Sequence, residues 1–327
     1  MSKVLMRMHR PLVLVSTILA TLLAPVAARA DYPNKPIRLI IPFPAGGTTD
    51  TIARIVGEAL GARIGQPVIP ENRPGAGGNV GTALVAQAAP DGYTLAMVGN
   101  SFTVNPALYR RMPYDTRAVT PVAVVGSVPF VLVTNGASPY KTLHTLIDHA
   151  RALPDSITYA SGGNGTIGHL GAHWFADMAG IRMRHIPYKG GSQAMTDLLG
   201  GRVDIFFDTL ITSTPFIKTG QVHPLFVTTK ARIAEYPHVP TATELGFPEL
   251  TFSAWVSLVA PASTPLTILK RLNTAINAAL ASDSVKNRLA ANGAKPIGGT
   301  LDESQLFFEQ EMRRWGAVVK ASGAQVD

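Results

Sequence analysis

From residue 37 onward the chain alternates short, continuously apolar runs with stretches whose apolar residues recur at helical spacing, and glycine-rich turns join one to the next. This alternation constrains the fold more than any other feature, because repeated β-α-β units build a mostly parallel sheet with helices on its faces. Ile37–Phe43 (IRLIIPF) has the unbroken apolar character of a strand buried on both sides. After Pro44-Ala45-Gly46-Gly47 a helix is predicted, with Ile52, Ile55, Val56, Leu60 and Ile64 on one face and Thr48 or Thr49 as its N-cap. Strands at Pro67–Pro70, Tyr93–Gly99 and Pro121–Val125 follow, with a helix near Val80–Ala88.

A second set begins at Phe130–Thr134. Helix Thr142–Leu153, strand Ile157–Ala160, helix Ile167–Ala179, strand Met183–Tyr188, helix Ser192–Leu199, and strands Val203–Phe207 and Val222–Thr228 complete it. Strand Ala254–Ala260 then leads into helices Pro265–Ala281, Asp283–Ala291 and Asp302–Ala321. Phe130–Thr134 and Thr251–Ala260 flank the second set and are expected to be crossovers. The chain would leave lobe I (31–130), build lobe II (131–254) and return to finish lobe I (255–327).

The first thirty residues read as an export signal. Lys3, Arg7 and Arg10 precede the apolar run Leu12–Leu23, and Ala28-Arg29-Ala30 offers a cleavage site after Ala30. Four of the 29 Lys and Arg residues lie in this segment and none of the 21 Asp and Glu, so the remainder carries +4 rather than +8. No basic run with interleaved aromatics suggests nucleic-acid binding. Cysteine is absent, which excludes disulfides, thiolate metal sites and a lipid-modified cysteine.

Four glycine-rich turns open helices: Pro44–Asp50, Gly75–Asn79, Ser161–Thr166 and Lys189–Ser192. Ligands of open parallel sheets bind outside the carboxyl ends of the strands, where a helix start presents free N–H groups to an anion. The first and third turns also carry hydroxyls at capping positions and are the favoured anion sites. Gly163-Asn164-Gly165-Thr166-Ile167-Gly168 matches G-x-G-x-x-G, but the acidic residue of a dinucleotide site is missing from His185-Ile186-Pro187-Tyr188-Lys189. His169, His173 and Asp177 have metal-ligand spacing without the glutamate of a zinc hydrolase. No nucleophile elbow or P-loop occurs. Asp208, at the end of VDIFFD, either caps the following turn or accepts from a ligand. No metal, cofactor or catalytic residue is expected.

The stretches YPNKPIRLIIPFPAGGTTDTIARIV, PVIPENRPGAGGNVGTALVAQAAPDGYTLAM, HIPYKGGSQAMTDLLGGRVDIFFD and PTATELGFPE closely resemble the Bug family, the extracytoplasmic tricarboxylate-binding receptors of tripartite tricarboxylate transporters. The resemblance implies a two-lobed periplasmic-binding-protein (Venus flytrap) fold with two crossover strands, a small carboxylate ligand held through backbone amides and ordered waters, and a periplasmic location. The carboxylate would be a di- or tricarboxylate, an acidic amino acid or an aromatic acid. Carried onto this chain, the site comprises Pro44, Ala45, Gly46, Gly47, Thr48, Thr49, Asp50, Asn100 and Ser101 on one side, and Ser161, Gly163, Gly165, Thr166, His169, Lys189 and Asp208 on the other. The chain departs from the family at Thr116–Thr120 and at His173, where Glu is usual. The expected partner is a membrane permease, absent where such receptors are orphans, and the receptor is expected to be a monomer. Two alternatives remain from sequence: a periplasmic partner of a signalling protein, and an enzyme using His169 and Asp208.

Overall fold

The computed structural model describes residues 32–326; the export signal and its cleavage after Ala30 lie outside them. β1 (Ile37–Ile41) pairs in parallel with β2 (Val68–Asn72) on one side and β3 (Thr94–Gly99) on the other. Every residue of β1 except Arg38 is buried, as its apolar run requires. Helix α1 (Thr48–Ile64) covers this sheet with Ile52, Ile55, Val56, Leu60 and Ile64. The sequence places its N-cap at Thr48 or Thr49; the structure places it at Gly47, in extended conformation and without a side-chain cap. Asp50 reaches back to the Gly46 N–H, so the chain turns before the threonines and both fall within the helix. Helices α2 (Asn79–Ala86) and α3 (Ser101–Leu108) follow β2 and β3.

The segments Pro121–Val125 and Phe130–Thr134, separate strands in the sequence reading, are one 17-residue strand, β4 (Val119–Asn135). Its first half pairs antiparallel with β9 (Ser253–Pro261) as far as Pro129–Ser253. Its second half pairs with β7 (Ile205–Thr209), starting at Phe130–Thr209, and with β8 (Val222–Val227). Proline has no N–H to give a ladder, and Pro129 stands where the strand leaves one sheet for the other.

In the second sheet, β7 and β6 (Arg184–Pro187) flank β5 (Thr158–Ser161) in parallel. Helices α4 (Leu143–Ala152), α5 (Ile167–Ala179), α6 (Gly191–Leu199) and α7 (Leu210–Lys218) intervene. The last strand, β10 (Lys295–Gly298), pairs with β4, between helices α8 (Leu266–Leu280), α9 (Asp283–Ala291) and α10 (Leu301–Ser322). Each sheet is therefore mixed: parallel ladders on one side, antiparallel crossing strands on the other.

The two crossings meet at Thr228, 1% exposed. Its hydroxyl accepts from the Phe130 N–H (3.1 Å) and donates to the Phe252 carbonyl (2.6 Å), while its backbone N–H donates to the Phe130 carbonyl and its carbonyl accepts from the Phe252 N–H. The C-terminal helix spans both sheets. Trp315 joins the core around Phe175 and Phe207, Phe308 joins that around Trp255, and buried Glu311 accepts from both indole N–H groups at 2.8 and 3.0 Å.

Replacing Thr228 by Val keeps shape and volume but leaves a buried N–H and a buried carbonyl short of a partner. The expected cost is about 1–3 kcal/mol of unfolding free energy, read by urea titration. A midpoint equal to wild type would show that the crossing does not depend on this hydroxyl.

Candidate functional site

The loops after β1, β3, β5, β6 and β7 carry the residues singled out from sequence, and each sheet brings its own set together. On the first sheet, the hydroxyl of Thr49 lies 3.6 Å from where a Cβ on Gly99 would stand, so the start of α1 adjoins the end of β3, while Ser101 Oγ lies 3.3 Å from a Cβ on Gly78. On the second, Gly162 packs on Gly190 and Gly191, and a Cβ on Gly191 would lie 3.7 Å from Asp208 Oδ1. The sets approach through Gly165, which rests on Leu108, the last residue of the helix that Ser101 begins. That helix spans roughly 10 Å between the two residues.

Backbone donors divide into occupied and free. The Gly46 N–H is taken by Asp50 (2.9 Å), that of Gly163 by Ser161 Oγ (3.1 Å), that of Gly165 by His169 Nδ1 (3.1 Å) and that of Thr166 by the Gly163 carbonyl (3.3 Å). The N–H groups of Gly47, Thr48 and Thr49 have no hydrogen-bond partner among the described residues. They lie at the N-terminus of a 17-residue helix, where backbone dipoles favour an anion. Pro44 and Ala45 shape the approach to them and are exposed.

Asp50 and Asn100 are committed within lobe I. Asp50, 4% exposed, accepts from Gly46, from Arg54 Nε (3.0 Å to each oxygen) and from Asn72 Nδ2 (2.8 Å). Burial opposes its ionisation, but the Arg54, Asn72 and Gly46 hydrogen bonds outweigh this and hold the carboxyl below its usual range. Asn100 uses both ends of its amide on β9, donating to the Ser253 carbonyl (3.1 Å) and accepting from the Trp255 N–H (3.0 Å). It fastens β3 to the returning crossing.

In lobe II the rings of His169 and His185 stack at 4.0 Å, with Tyr159 stacked on His185 at 4.8 Å. Because Nδ1 of His169 accepts from Gly165, that imidazole is the neutral Nε2–H tautomer. Burial and then the charge of His173 push its pKa down to about 4; burial and then His169 do the same for His185. Ser161 Oγ lies 2.7 Å from His185 Nε2. Burial raises Asp208 to about 6, against the opposing hydrogen bonds from Thr212, Ser213 and the Thr209 N–H. Lys189 is exposed, its backbone N–H on Gln193 Oε1. His173 pairs with Asp177 at 3.4 Å rather than with His169, and among the described residues no group of three His, Cys, Asp or Glu side chains could hold a metal ion.

Sequence reasoning passed over Arg54, Asn72, His185 and Tyr159. Arg54 was visible in principle, since Asp50 and Arg54 have the i,i+4 spacing of a helical ion pair. The others are brought in by strand pairing: Ile41↔Asn72 and Tyr159↔His185 are sheet neighbours far apart in sequence. An open groove of about 540 Å³ lies elsewhere, on the α1–β2 face lined by Arg54, Gly57, Gly61 and Val68, away from the free amides.

Two sheets joined by two crossing strands, with glycine-rich helix starts on each, define a two-lobed solute-binding receptor of the periplasmic type. Residues 52–324 match the family model described as the tripartite tricarboxylate transporter family receptor. Protein BugT of Bordetella pertussis is 38% identical over 326 residues, covering 98% of this chain and all of that protein. The structure of R. palustris Rpa4515 with adipate superposes with a TM-score of 0.81 at 36% identity, covering 90% of this chain and all of that one. MatC from Rhodopseudomonas palustris with bound malate gives 0.76 at 30% identity, covering 88% and 100%. The chain belongs to the tripartite tricarboxylate transporter receptor family, whose Bug members include BugT, and it is a solute-binding receptor rather than an enzyme.

The folded state prefers neutral imidazoles at 169 and 185, below their ordinary 6.5, so the stabilisation they give is complete above about pH 6.5 and is lost as pH falls toward 4. NMR should therefore show His169 in the Nε2–H tautomer with an apparent pKa far below 6.5, and the Gly165 amide losing exchange protection over the same acid range. Titration of His169 near 6.5 would contradict the buried, Gly165-bonded ring.

Proposed function

We propose that this receptor captures a small organic carboxylate, most directly a dicarboxylate, between its two lobes and presents it to the membrane permease of a tripartite tricarboxylate transporter. The observation that carries the reading is the set of unpaired N–H groups at Gly47, Thr48 and Thr49, placed at the end of β1 where α1 begins. Three converging amides at a helix start bind a carboxylate without a cation. Ser101 borders this anchor, and Ser161, Gly163, Gly165, Thr166, His169, Lys189 and Asp208 form the opposing wall. Pro44, Ala45, Gly46, Asp50 and Asn100 shape and brace it. The family membership and the adipate and malate in the two related structures support the ligand class.

In this reading lobe I is 31–130 with 255–327 and lobe II is 131–254. Phe130–Thr134 and Thr251–Ala260 carry the hinge, around the Thr228 junction. Closure excludes water and strengthens the amide–carboxylate interaction. Export to the periplasm proceeds by the N-terminal signal with cleavage after Ala30. No helix among the described residues is long and apolar enough to cross a membrane.

The test is thermal unfolding of the signal-free protein with adipate, malate or the uncharged diamide of adipic acid. At a hundredfold excess over Kd a bound acid should add about 2.7 kcal/mol, and the diamide nothing. Gly47→Val should erase the acid-induced shift while the ligand-free melting temperature holds, because Gly47 has φ −80° and a Cβ there meets only the Pro44 carbonyl at 3.7 Å. A full shift in the Gly47→Val protein would remove the α1 amides from the site.

A further inference from the structure

We infer that Arg54, which lies behind the anion site rather than in it, is the positioning and charge-balancing residue that lets a buried carboxylate and a ligand carboxylate share the first turn of α1; this rests on the reading of that turn as the anion anchor. Asp50 is the third residue of α1, on the same turn as the free amides of Thr48 and Thr49. It is ionised and 4% exposed. A helix start stabilises one anion, and Asp50 already occupies that field. Left alone, its charge would repel a second carboxylate bound to the neighbouring amides.

The clamp removes that conflict. Arg54 Nε reaches both Asp50 oxygens at 3.0 Å, and its Nη2 donates to Asn72 Oδ1 at 2.9 Å. Asn72 Nδ2 donates to Asp50 Oδ1 at 2.8 Å and to the Phe43 carbonyl at 3.0 Å. The three side chains thus form a neutral unit pinned to both ends of the Phe43–Gly46 loop. With the Gly46 N–H taken by Asp50, the three amides beyond it have no partner among the described residues. Arg54 itself lines the α1–β2 groove, and 47% of its side chain is exposed there, so it balances charge without touching the ligand.

Calorimetric titration of adipate and malate into the signal-free protein, at low and high salt, tests this. Arg54→Met should weaken binding on the order of tenfold at low salt, and high salt should narrow the gap only slightly, because the Asp50 charge is buried and little screened. Arg54→Lys should retain wild-type affinity. Asp50→Asn introduced into the Arg54→Met protein should restore affinity to within about twofold of wild type, since the charge Arg54 balances is then gone. A purely structural role would make the double variant at least as weak as Arg54→Met, and that result overturns the inference. Arg54→Met binding like wild type overturns it too, while leaving the α1 anchor intact. Failure of the wild-type protein to bind either acid would instead sink the anchor, and this inference with it.

Discussion

The architecture depends on one buried threonine. A chain that builds half a sheet, leaves to build a second and returns must cross between them twice, and the crossings must stay in register for the loops of one sheet to face those of the other. Thr228 ties both together, binding Phe130 on the outgoing strand and Phe252 before the returning one. One hydroxyl serves because it accepts and donates at once. Around it pack Phe130, Phe207 and Phe252, with ring centroids 5.4–6.5 Å apart, so the junction is polar at its centre and apolar around it. Such a junction holds two strands side by side while leaving the sheets beyond it to other contacts.

The loops those strands position hold their shape by different means. In lobe II the amides of Gly163, Gly165 and Thr166 are spent on Ser161, His169 and Gly163, while those of Asn164, Ile167 and Gly168 have no partner among the described residues. In lobe I one amide, at Gly46, is spent on Asp50, and the next ones are left free. Two residues that the resemblance places among the ligand contacts also hold their own lobe together. Asp50 bonds to the Gly46 N–H, and Asn100 to the Ser253 carbonyl and the Trp255 N–H, so each acts on the backbone of its own lobe.

Much of this was legible in sequence, because apolar runs and helical spacing are local signals. The predicted α5, Ile167–Ala179, matches to the residue, and the predicted strand Ala254–Ala260 to within a residue at each end. The continuity of β4 was not legible, since Pro121, Gly126 and Pro129 each look like a break; register shifts against β9 at Pro121/Ala123 and Val124/Gly126, and the change of partner strands after Pro129, accommodate them. Helices α3 and α7 were passed over because each is short and contains a proline, Pro106 and Pro215. The residues proposed as the anchor could be singled out from sequence; which amides were already occupied could not, because that turns on Asp50, His169 and Ser161 bending back over a few residues in ways spacing does not encode.

The G-x-G-x-x-G pattern at 163–168 illustrates the limit of motif reading. Each glycine has a packing reason of its own. A Cβ on Gly165, at φ +74°, would stand 2.1 Å from Leu108 Cδ2, so glycine there permits lobe II to rest on α3. A Cβ on Gly168 would come within 2.6 Å of the Phe207 carbonyl, so glycine lets α5 lie against β7. Gly163 backs onto the Tyr188 carbonyl at 3.2 Å. The spacing that in another fold admits a pyrophosphate here admits a second lobe and a neighbouring strand. Close approach is the shared physics, and what approaches is decided by the fold around it.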